Sequence, residues 1–213
     1  MSTLIVTGGN INTEFLKETL EKTEFETIIA ADKGLEALNK INVMPNYIIG
    51  DFDSVNKTTL NQYKDKNIEI TYLKPEKDFT DTHMAIKLAI EKRAKHITII
   101  GATGTRMDHT LANIHILNET LQNNVPTEII NENNRIMLIN RKAKLIKNTN
   151  YKYVSIIPLT TKITGVTLKG FKYNIENTTI NLGESIGVSN EQIEQEALIE
   201  IKEGIAILIY SKD

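Results

Sequence analysis

The chain has 213 residues, of which 40% are hydrophobic and 24% are charged, with eleven Gly and four Pro. These values exclude collagen-like, disordered and low-complexity chains. The net charge of −2 does not favour wholesale binding to nucleic acid or to an anionic membrane. The lack of Cys excludes disulfides, thiolate nucleophiles and Cys-based zinc sites. Since the early apolar runs are too short for a signal peptide or a membrane span, we expect a cytoplasmic protein.

Residues 1–130 alternate β-branched runs with stretches of helical periodicity, a pattern typical of βαβ units. The pattern predicts strands at residues 4–7, 27–31, 47–50, 68–72, 96–100 and 127–130. It predicts helices near residues 13–22, 33–40, 56–64, 80–93 and 109–121. This part of the chain therefore predicts an α/β domain with a Rossmann-like parallel sheet and flanking helices.

Residues 131–213 change to short alternating strands separated by glycines. The predicted strands are residues 135–139, 144–146, 153–158, 164–168, 178–182 and 205–210. We expect these residues to form a second domain, a C-terminal antiparallel β-sandwich.

Gly, acidic and basic residues follow five consecutive strands of the first domain. These segments are Gly8-Gly9-Asn10, Asp32-Lys33-Gly34, Gly50-Asp51-Phe52-Asp53-Ser54, Pro75-Glu76-Lys77-Asp78 and Gly101-Ala102-Thr103-Gly104-Thr105-Arg106. Because ligands of open α/β sheets bind beyond the carboxyl ends of the strands, we expect the segments to share one site. Glycines let backbone N–H groups approach an anion, and carboxylates on one edge repel each other unless a cation lies between them. The pattern predicts a site for a polyphosphate and Mg²⁺.

Two acidic pairs are the candidates for holding the metal. Asp51 and Asp53 are two apart in an extended segment, so they point the same way and could share one hard cation. The alternative is a turn in which Ser54 caps the next helix. Asp78 and Asp81 are three apart at a helix start, where capping is the alternative role. If all four carboxylates converge, a divalent ion is the simpler explanation.

The segment from Gly101 to His109 is a glycine-rich connection between a strand and a helix, with an Arg suited to a phosphate. It is neither a P-loop nor a dinucleotide-binding fingerprint. Asp108 could instead be the helix N-cap, and His109 could either join Asp108 to the core or contact a phosphate.

Three of these segments, in this order, resemble those of the thiamine pyrophosphokinase family: residues 50–54, residues 77–81 and residues 101–109. The resemblance extends to Gly170-Phe171-Lys172-Tyr173 and Gly187-Val188-Ser189-Asn190, which are similar to the thiamine-facing segments of that family. It implies the transfer of a pyrophosphoryl group from ATP to the hydroxyl of thiamine, giving thiamine diphosphate and AMP, on a Mg²⁺-dependent homodimer.

The resemblance also implies roles for single residues. Those expected at the metal are Asp51, Asp53, Asp78 and Asp81. Those expected at ATP are Asp32, Lys77, Thr80, Gly101, Gly104, Thr105, Arg106 and His109. Tyr173, Ser189 and Asn190 are expected at thiamine, with the domain of residues 131–213 also forming the dimer. The catalytic set is Asp51, Asp53, Asp81, Arg106 and Asp108, with Asp81 or Asp108 as the candidate that takes the hydroxyl proton.

Three alternatives remain open from the sequence. One is another Mg²⁺-dependent enzyme that transfers a phosphoryl or pyrophosphoryl group from ATP to a different small alcohol. The second is a non-catalytic sensor of a nucleotide or of thiamine diphosphate. The third is nucleic-acid binding through the basic cluster of Arg141, Lys142, Lys144 and Lys147, which lacks interleaved aromatic residues and is more typical of a solvated strand face.

Overall fold

The computed structural model describes residues 1–53, 55–64, 66, 68–74 and 78–213, except for the side chains of residues 57 and 64. The chain forms two compact units, Met1–Glu132 and Asn133–Asp213. In the described residues, no helix combines the length and apolar character that a membrane span requires.

The first unit alternates strands and helices in the predicted order. Its strands are β1 (Ser2–Val6), β2 (Thr27–Ala31), β3 (Tyr47–Gly50), β4 (Glu69–Tyr72), β5 (His96–Ile100) and β6 (Thr127–Ile130). Its helices are α1 (Thr13–Lys22), α2 (Gly34–Lys40), α3 (Lys57–Lys64), α4 (Asp81–Glu91) and α5 (Met107–Gln122). Each of these elements agrees with the prediction to within two residues at either end.

The six strands pair in parallel in the order β4-β3-β2-β1-β5-β6. The chain moves outward from β1 to β4 and then returns to place β5 on the other side of β1. In open α/β sheets this reversal of strand order leaves a crevice at the carboxyl ends of the two central strands. The ends of β1 and β5 therefore mark the expected binding site.

The central strand β1 is covered on both faces, as its continuous apolar sequence predicts. Leu4, Ile5 and Val6 are completely buried. Helix α1 adds Leu16 to the core, and its N-cap Asn12 accepts hydrogen bonds from the backbone of Glu14 and Phe15. The sheet edge that carries the polar segments is thus supported by a tightly packed core.

The second unit contains two antiparallel sheets. Its strands are β7 (Asn134–Ile139), β8 (Ala143–Ile146), β9 (Tyr153–Pro158), β10 (Lys162–Lys169), β11 (Ile175–Asn181), β12 (Glu196–Glu200) and β13 (Ala206–Ser211). Within this unit, one sheet contains the neighbouring strands β7, β13 and β9, and the other has the order β11-β10-β12-β8. Strand β12 was not predicted, because acidic residues at both of its ends conceal the alternation that buries Ala197 and Ile199.

Apolar residues from both sheets form one core in this unit. Val154, Ile156 and Leu208 from one sheet belong to the same buried cluster as Leu168 and Ile199 from the other. Two antiparallel sheets that share a core form a β-sandwich. The predicted fold class is confirmed: a Rossmann-like parallel α/β unit is followed by an antiparallel β-sandwich.

Candidate active site

A cleft of about 480 Å³ lies at the carboxyl ends of the central strands of the first unit. Its walls come from the segments after β1, β2 and β5 and from the first turns of α4 and α5. Asp81 lines it together with seven of the residues expected at ATP: Asp32, Thr80, Gly101, Gly104, Thr105, Arg106 and His109. The sheet thus brings together residues that are up to 77 positions apart in the chain.

Backbone segments form one wall of the cleft. The Gly9 amide donates to the Gly101 carbonyl at 2.8 Å, and the Asn10 amide donates to the Thr103 carbonyl at 2.9 Å. A Cβ atom on Gly9 would lie 2.2 Å from the Gly101 oxygen, so any larger residue would push the two segments apart. Gly101 itself has a φ of 82°, which also favours glycine. The wall is therefore a surface of closely packed backbone that can approach an anion.

Three carboxylates meet beside the cleft at the ends of β2 and β3. Asp32, Asp51 and Asp53 each place an oxygen within 4.8 Å of the other two. The Asp53 amide donates to Oδ1 of Asp51 at 3.2 Å, and Phe52 between them has a left-handed φ of 59°. The expectation of an extended segment is therefore wrong, because the two carboxylates are brought together by a turn. The expected pair of Asp51 and Asp53 thus lies together, and Asp32, which we expected to contact ATP, is the third member.

Asp32 is held in an unfavourable environment. Its φ of 47° lies in the left-handed region, and no described group makes a hydrogen bond to its buried Oδ1. Burial raises the pKa of Asp32 above its usual value, and the charges of Asp81, Asp51 and Asp53 raise it further. A hard divalent cation with oxygen ligands would relieve both the repulsion and the unpartnered oxygen. The donor set therefore fits Mg²⁺.

The start of α4 forms the opposite wall. Thr80 is the N-cap, and its side chain accepts a hydrogen bond from the His83 amide at 3.2 Å, so neither Asp78 nor Asp81 is the cap. The hydroxyls of Thr82 and Thr7 share a buried hydrogen bond of 2.7 Å. Asp81 lines the cleft, whereas Asp78 is exposed and lies outside both the carboxylate group and the described lining.

The start of α5 places a cation at the rim. Arg106 lines the cleft and forms an ion pair of 2.6 Å with Asp108, and both side chains are mostly exposed. The hydrogen bond from Arg106 holds the pKa of Asp108 below its usual value. The N-cap position belongs to Arg106, so the alternative in which Asp108 caps the helix is wrong. Asp108 is not among the described residues that line the cleft.

Some residues of the cleft were not assigned from the sequence. Lys33 lines it beside Asp32, and Asn113 is buried, with its side-chain amide donating to the Ala102 carbonyl at 2.7 Å. Lys33 followed a strand end and could have been selected on that ground, whereas nothing in the sequence separates Asn113 from other helix residues. The expected phosphate ligand Lys77 and the candidate cap Ser54 lie outside the described residues.

In the second unit, the three residues expected at thiamine are linked by hydrogen bonds and chain adjacency. Asn190 is 5% exposed. Its side-chain oxygen Oδ1 accepts hydrogen bonds from the Tyr173 and Glu191 backbone amides, and its side-chain amide donates to the Tyr173 carbonyl at 2.7 Å. The exposed Ser189 donates its backbone amide to Ser155 Oγ at 3.0 Å. Asn190 thus uses its polar atoms to shape the loop that presents the Tyr173 ring, which is 61% exposed.

Comparisons with known proteins identify the family. The model of the thiamin pyrophosphokinase catalytic domain matches residues 17–129, and that of the thiamin pyrophosphokinase vitamin B1 binding domain matches residues 140–206. The chain belongs to the thiamine pyrophosphokinase family. The thiamine pyrophosphokinase of Bacillus subtilis (strain 168) is 33% identical to it over 211 residues, 98% of each chain. Thiamin pyrophosphokinase 1 of Caenorhabditis elegans is 30% identical over 158 residues, which cover 69% of this chain and 62% of that protein.

Solved structures of this family have the same fold. The crystal structure of thiamine pyrophosphokinase from Bacillus subtilis superimposes with a TM-score of 0.91 at 32% identity and covers all of both chains. That of thiamin pyrophosphokinase from Geobacillus thermodenitrificans gives a TM-score of 0.88 at 29% identity, covering 100% of this chain and 98% of the other. The resemblance that the sequence motifs indicate to the thiamine pyrophosphokinase family is thus confirmed.

Proposed function

We propose that the protein transfers the pyrophosphoryl group of ATP to the hydroxyl of thiamine, giving thiamine diphosphate and AMP. The observation that carries this proposal is the group of Asp32, Asp51 and Asp53 beside the cleft, in a chain of the thiamine pyrophosphokinase family. An acidic group next to a backbone-lined cleft with Arg106 at its rim suits a polyphosphate that arrives with a divalent ion.

Asp32, Asp51 and Asp53 would hold Mg²⁺, with Asp81 and Asp78 as the further acidic residues of the site. Bound there, the ion would neutralise oxygens of the triphosphate and so favour attack at the β-phosphorus. Asp81 is supported by its place in the cleft lining and by its effect on the pKa of Asp32. Asp78 has weaker support, because its side chain lies outside the carboxylate group.

The remaining residues of the cleft would position the nucleotide. Arg106 would neutralise phosphate oxygens, while Gly101, Gly104 and Thr105 would offer backbone donors. Thr80 and His109 complete this set in the cleft, and Lys77, which lies outside the described residues, is proposed as a further phosphate ligand. Since phosphoryl transfer requires little covalent chemistry from the protein, positioning and charge neutralisation would supply most of the catalysis.

Asp81 is the better candidate for taking the proton of the thiamine hydroxyl. It lines the cleft, whereas Asp108 is engaged by Arg106 outside the described lining. A general base must come within hydrogen-bonding distance of the proton that it accepts. We therefore assign Asp108 the role of orienting Arg106.

In this proposal the first unit binds the nucleotide and the metal, and the second binds thiamine and forms a homodimer. Tyr173 would stack on the cationic thiazolium or the pyrimidine, with Ser189 and Asn190 forming the loop around it. The exposure of Leu182, Ile186 and Val188, each between 45% and 63%, supports a protein contact on this unit. The lack of Cys is consistent with a cytoplasmic location.

Two residues of the basic cluster that suggested nucleic-acid binding make contacts within the protein. Lys142 forms an ion pair of 2.8 Å with Glu200, and Lys147 donates to the Ile193 carbonyl at 3.3 Å. These contacts favour a solvated strand face over a nucleic-acid surface.

The test is to incubate the purified protein with ATP, Mg²⁺ and thiamine and to identify the products by mass spectrometry. Thiamine diphosphate and AMP in equal amounts would support the proposal. ADP as the nucleotide product would indicate a kinase of the first alternative. Binding of ATP or thiamine diphosphate without turnover would indicate the sensor.

A further inference from the structure

A closed set of contacts joins α4 to α5, and none of its four residues is among those that line the cleft. Nε2 of His83 lies within hydrogen-bonding distance of Oε2 of Glu119, and Nζ of Lys87 donates to Oε1 of Glu119 at 3.0 Å. The Phe79 ring packs edge-on against the His83 ring with 4.7 Å between centroids, and Nζ of Lys87 lies 4.9 Å from the Phe79 centroid. We call Phe79, His83, Lys87 and Glu119 the α4–α5 clasp.

Glu119 is the centre of the clasp. It uses one carboxylate oxygen for His83 and the other for Lys87, and its side chain is 28% exposed. Burial would raise the pKa of Glu119, but the hydrogen bonds from His83 and Lys87 outweigh it and lower the pKa. Hydrogen bonds with charged groups at partly buried sites are stronger than those of exposed pairs. The contacts therefore fix the two helices at this point.

The clasp holds the segment that carries Asp81. Phe79 immediately precedes the N-cap Thr80, and His83 lies two residues after Asp81 in the first turn. The Thr80 cap and the hydrogen bond between Thr82 and Thr7 secure the same turn from the cleft side. The turn that carries Asp81 is thus held both by the clasp and by the contacts of Thr80 and Thr82.

We infer that Glu119 is a positioning residue for the metal site, acting through His83 and Phe79 to hold Asp81 towards Asp32. Glu119 lies six residues after Asn113, the last residue of α5 that lines the cleft, so it is about 9 Å further along the helix. It therefore acts at a distance from the reacting groups. The inference rests on the proposed role of Asp81 at the metal.

The test measures Mn²⁺ binding from the free-ion signal in electron paramagnetic resonance, with Mn²⁺ alone as the probe. Glu119→Ala should weaken Mn²⁺ binding about tenfold, as is usual when groups that support metal ligands are removed. Glu119→Gln retains a side-chain oxygen in the same position and should recover most of that loss. The KM for thiamine should be the same in all three proteins, which a general loss of structure would not produce.

The matched control is Glu69→Ala. Glu69 pairs with Lys92 at 3.4 Å, and Lys92 is the C-cap residue at the opposite end of α4. This variant removes an ion pair of the same helix without affecting the first turn, so its Mn²⁺ binding should equal that of the native protein. Equal weakening in the two alanine variants would overturn the inference, because the effect would then be one of helix stability.

His83→Ala provides the second route if Glu119→Ala does not fold. It breaks the clasp from α4 while the backbone amide still bonds Thr80, so it should weaken Mn²⁺ binding as much as Glu119→Ala. Native Mn²⁺ affinity in either folded variant, or no Mn²⁺ binding by the native protein, would overturn the inference. Failure to form thiamine diphosphate would refute only the proposed function, because the Mn²⁺ titration requires no turnover.

Discussion

Thr7 at the end of β1 and Thr82 in the first turn of α4 share a hydrogen bond of 2.7 Å between buried hydroxyls. Strand and helix are thereby joined at the cleft by two residues that are 75 positions apart. Thr82→Val should lower the free energy of unfolding by about 1–3 kcal/mol, since it leaves the Thr7 hydroxyl buried without its partner.

The double variant Thr7→Val/Thr82→Val separates the hydrogen bond from general packing. Because both partners become apolar groups of similar shape, its loss should be smaller than the sum of the single losses. Urea unfolding of the four proteins measures this. Strict additivity would show that the two hydroxyls do not interact.

Asp32→Asn should stabilise the metal-free protein while strongly reducing its activity. The substitution removes one of three neighbouring carboxylates, and Asn tolerates the left-handed φ of 47°. We expect a gain of about 0.5–2 kcal/mol in the free energy of unfolding without Mg²⁺, of the kind seen when strain at a functional site is relieved. The turnover number should fall by at least about 10²-fold. If the variant were less stable than the native protein, the conclusion that Asp32 is in an unfavourable environment would be wrong.

The pH dependence of this stability difference follows from the raised pKa of Asp32. At low pH Asp32 is protonated in the folded and unfolded chains, and the native protein resembles the variant. As pH rises, the unfolded chain loses the proton first, so native stability falls relative to the variant until pH exceeds the folded pKa. Thermal melts in EDTA from pH 3 to neutrality, about the range in which carboxyls titrate, should show this divergence. A stability advantage of Asp32→Asn over the native protein that grows as pH falls would contradict this prediction.

Asp108→Asn distinguishes the two roles considered for Asp108. If the carboxylate orients the exposed Arg106, the variant should raise the KM for ATP by no more than about fivefold and leave kcat nearly unchanged, since exposed ion pairs are weak. Arg106→Ala should reduce kcat/KM by about 10²-fold. A 10²-fold fall in kcat for Asp108→Asn at unchanged KM, about the loss expected for a missing proton acceptor, would assign the base role to Asp108.

Asn190→Ala should destabilise the second unit much more than Ser189→Ala. The buried Asn190 side chain makes three hydrogen bonds with the backbone of Tyr173 and Glu191, and its loss should cost about 2–3 kcal/mol. Ser189 uses its backbone amide, which the substitution keeps, so its cost should stay below about 0.5 kcal/mol. Denaturant titration compares them, and equal costs would show that the Tyr173 loop does not depend on Asn190.

The order and type of elements in the first unit could be predicted because apolar periodicity directly reflects which faces are buried. The motif of Asp51 and Asp53 could be recognised for a similar reason, since both follow a strand end. The strand-end argument placed Asp32 in the same site, but its close approach to Asp51 and Asp53 could not be derived, because it depends on β2 and β3 being neighbours in the sheet and on the left-handed turn at Asp32. Neither is visible in local sequence.

In the second unit, too, the features that could not be predicted from the sequence depend on tertiary contacts. Strand β12 is flanked by acidic residues and becomes a strand through its pairing with β8 and β10. Asn190 was expected to face thiamine, yet its side chain makes hydrogen bonds to the backbone of Tyr173, which lies 17 positions earlier in the chain. Such contacts are decided by tertiary packing, which a single sequence does not reveal.

We expect Asp32, Asp51 and Asp53 to bind the divalent ion that accompanies the nucleotide. The most direct measurement is the anomalous scattering of crystals grown with Mn²⁺ and a non-hydrolysable ATP analogue. The expected result is a manganese peak coordinated by oxygens of these three carboxylates and of the triphosphate. A triphosphate bound in the cleft with manganese elsewhere, or with none of the three carboxylates as a ligand, would contradict it.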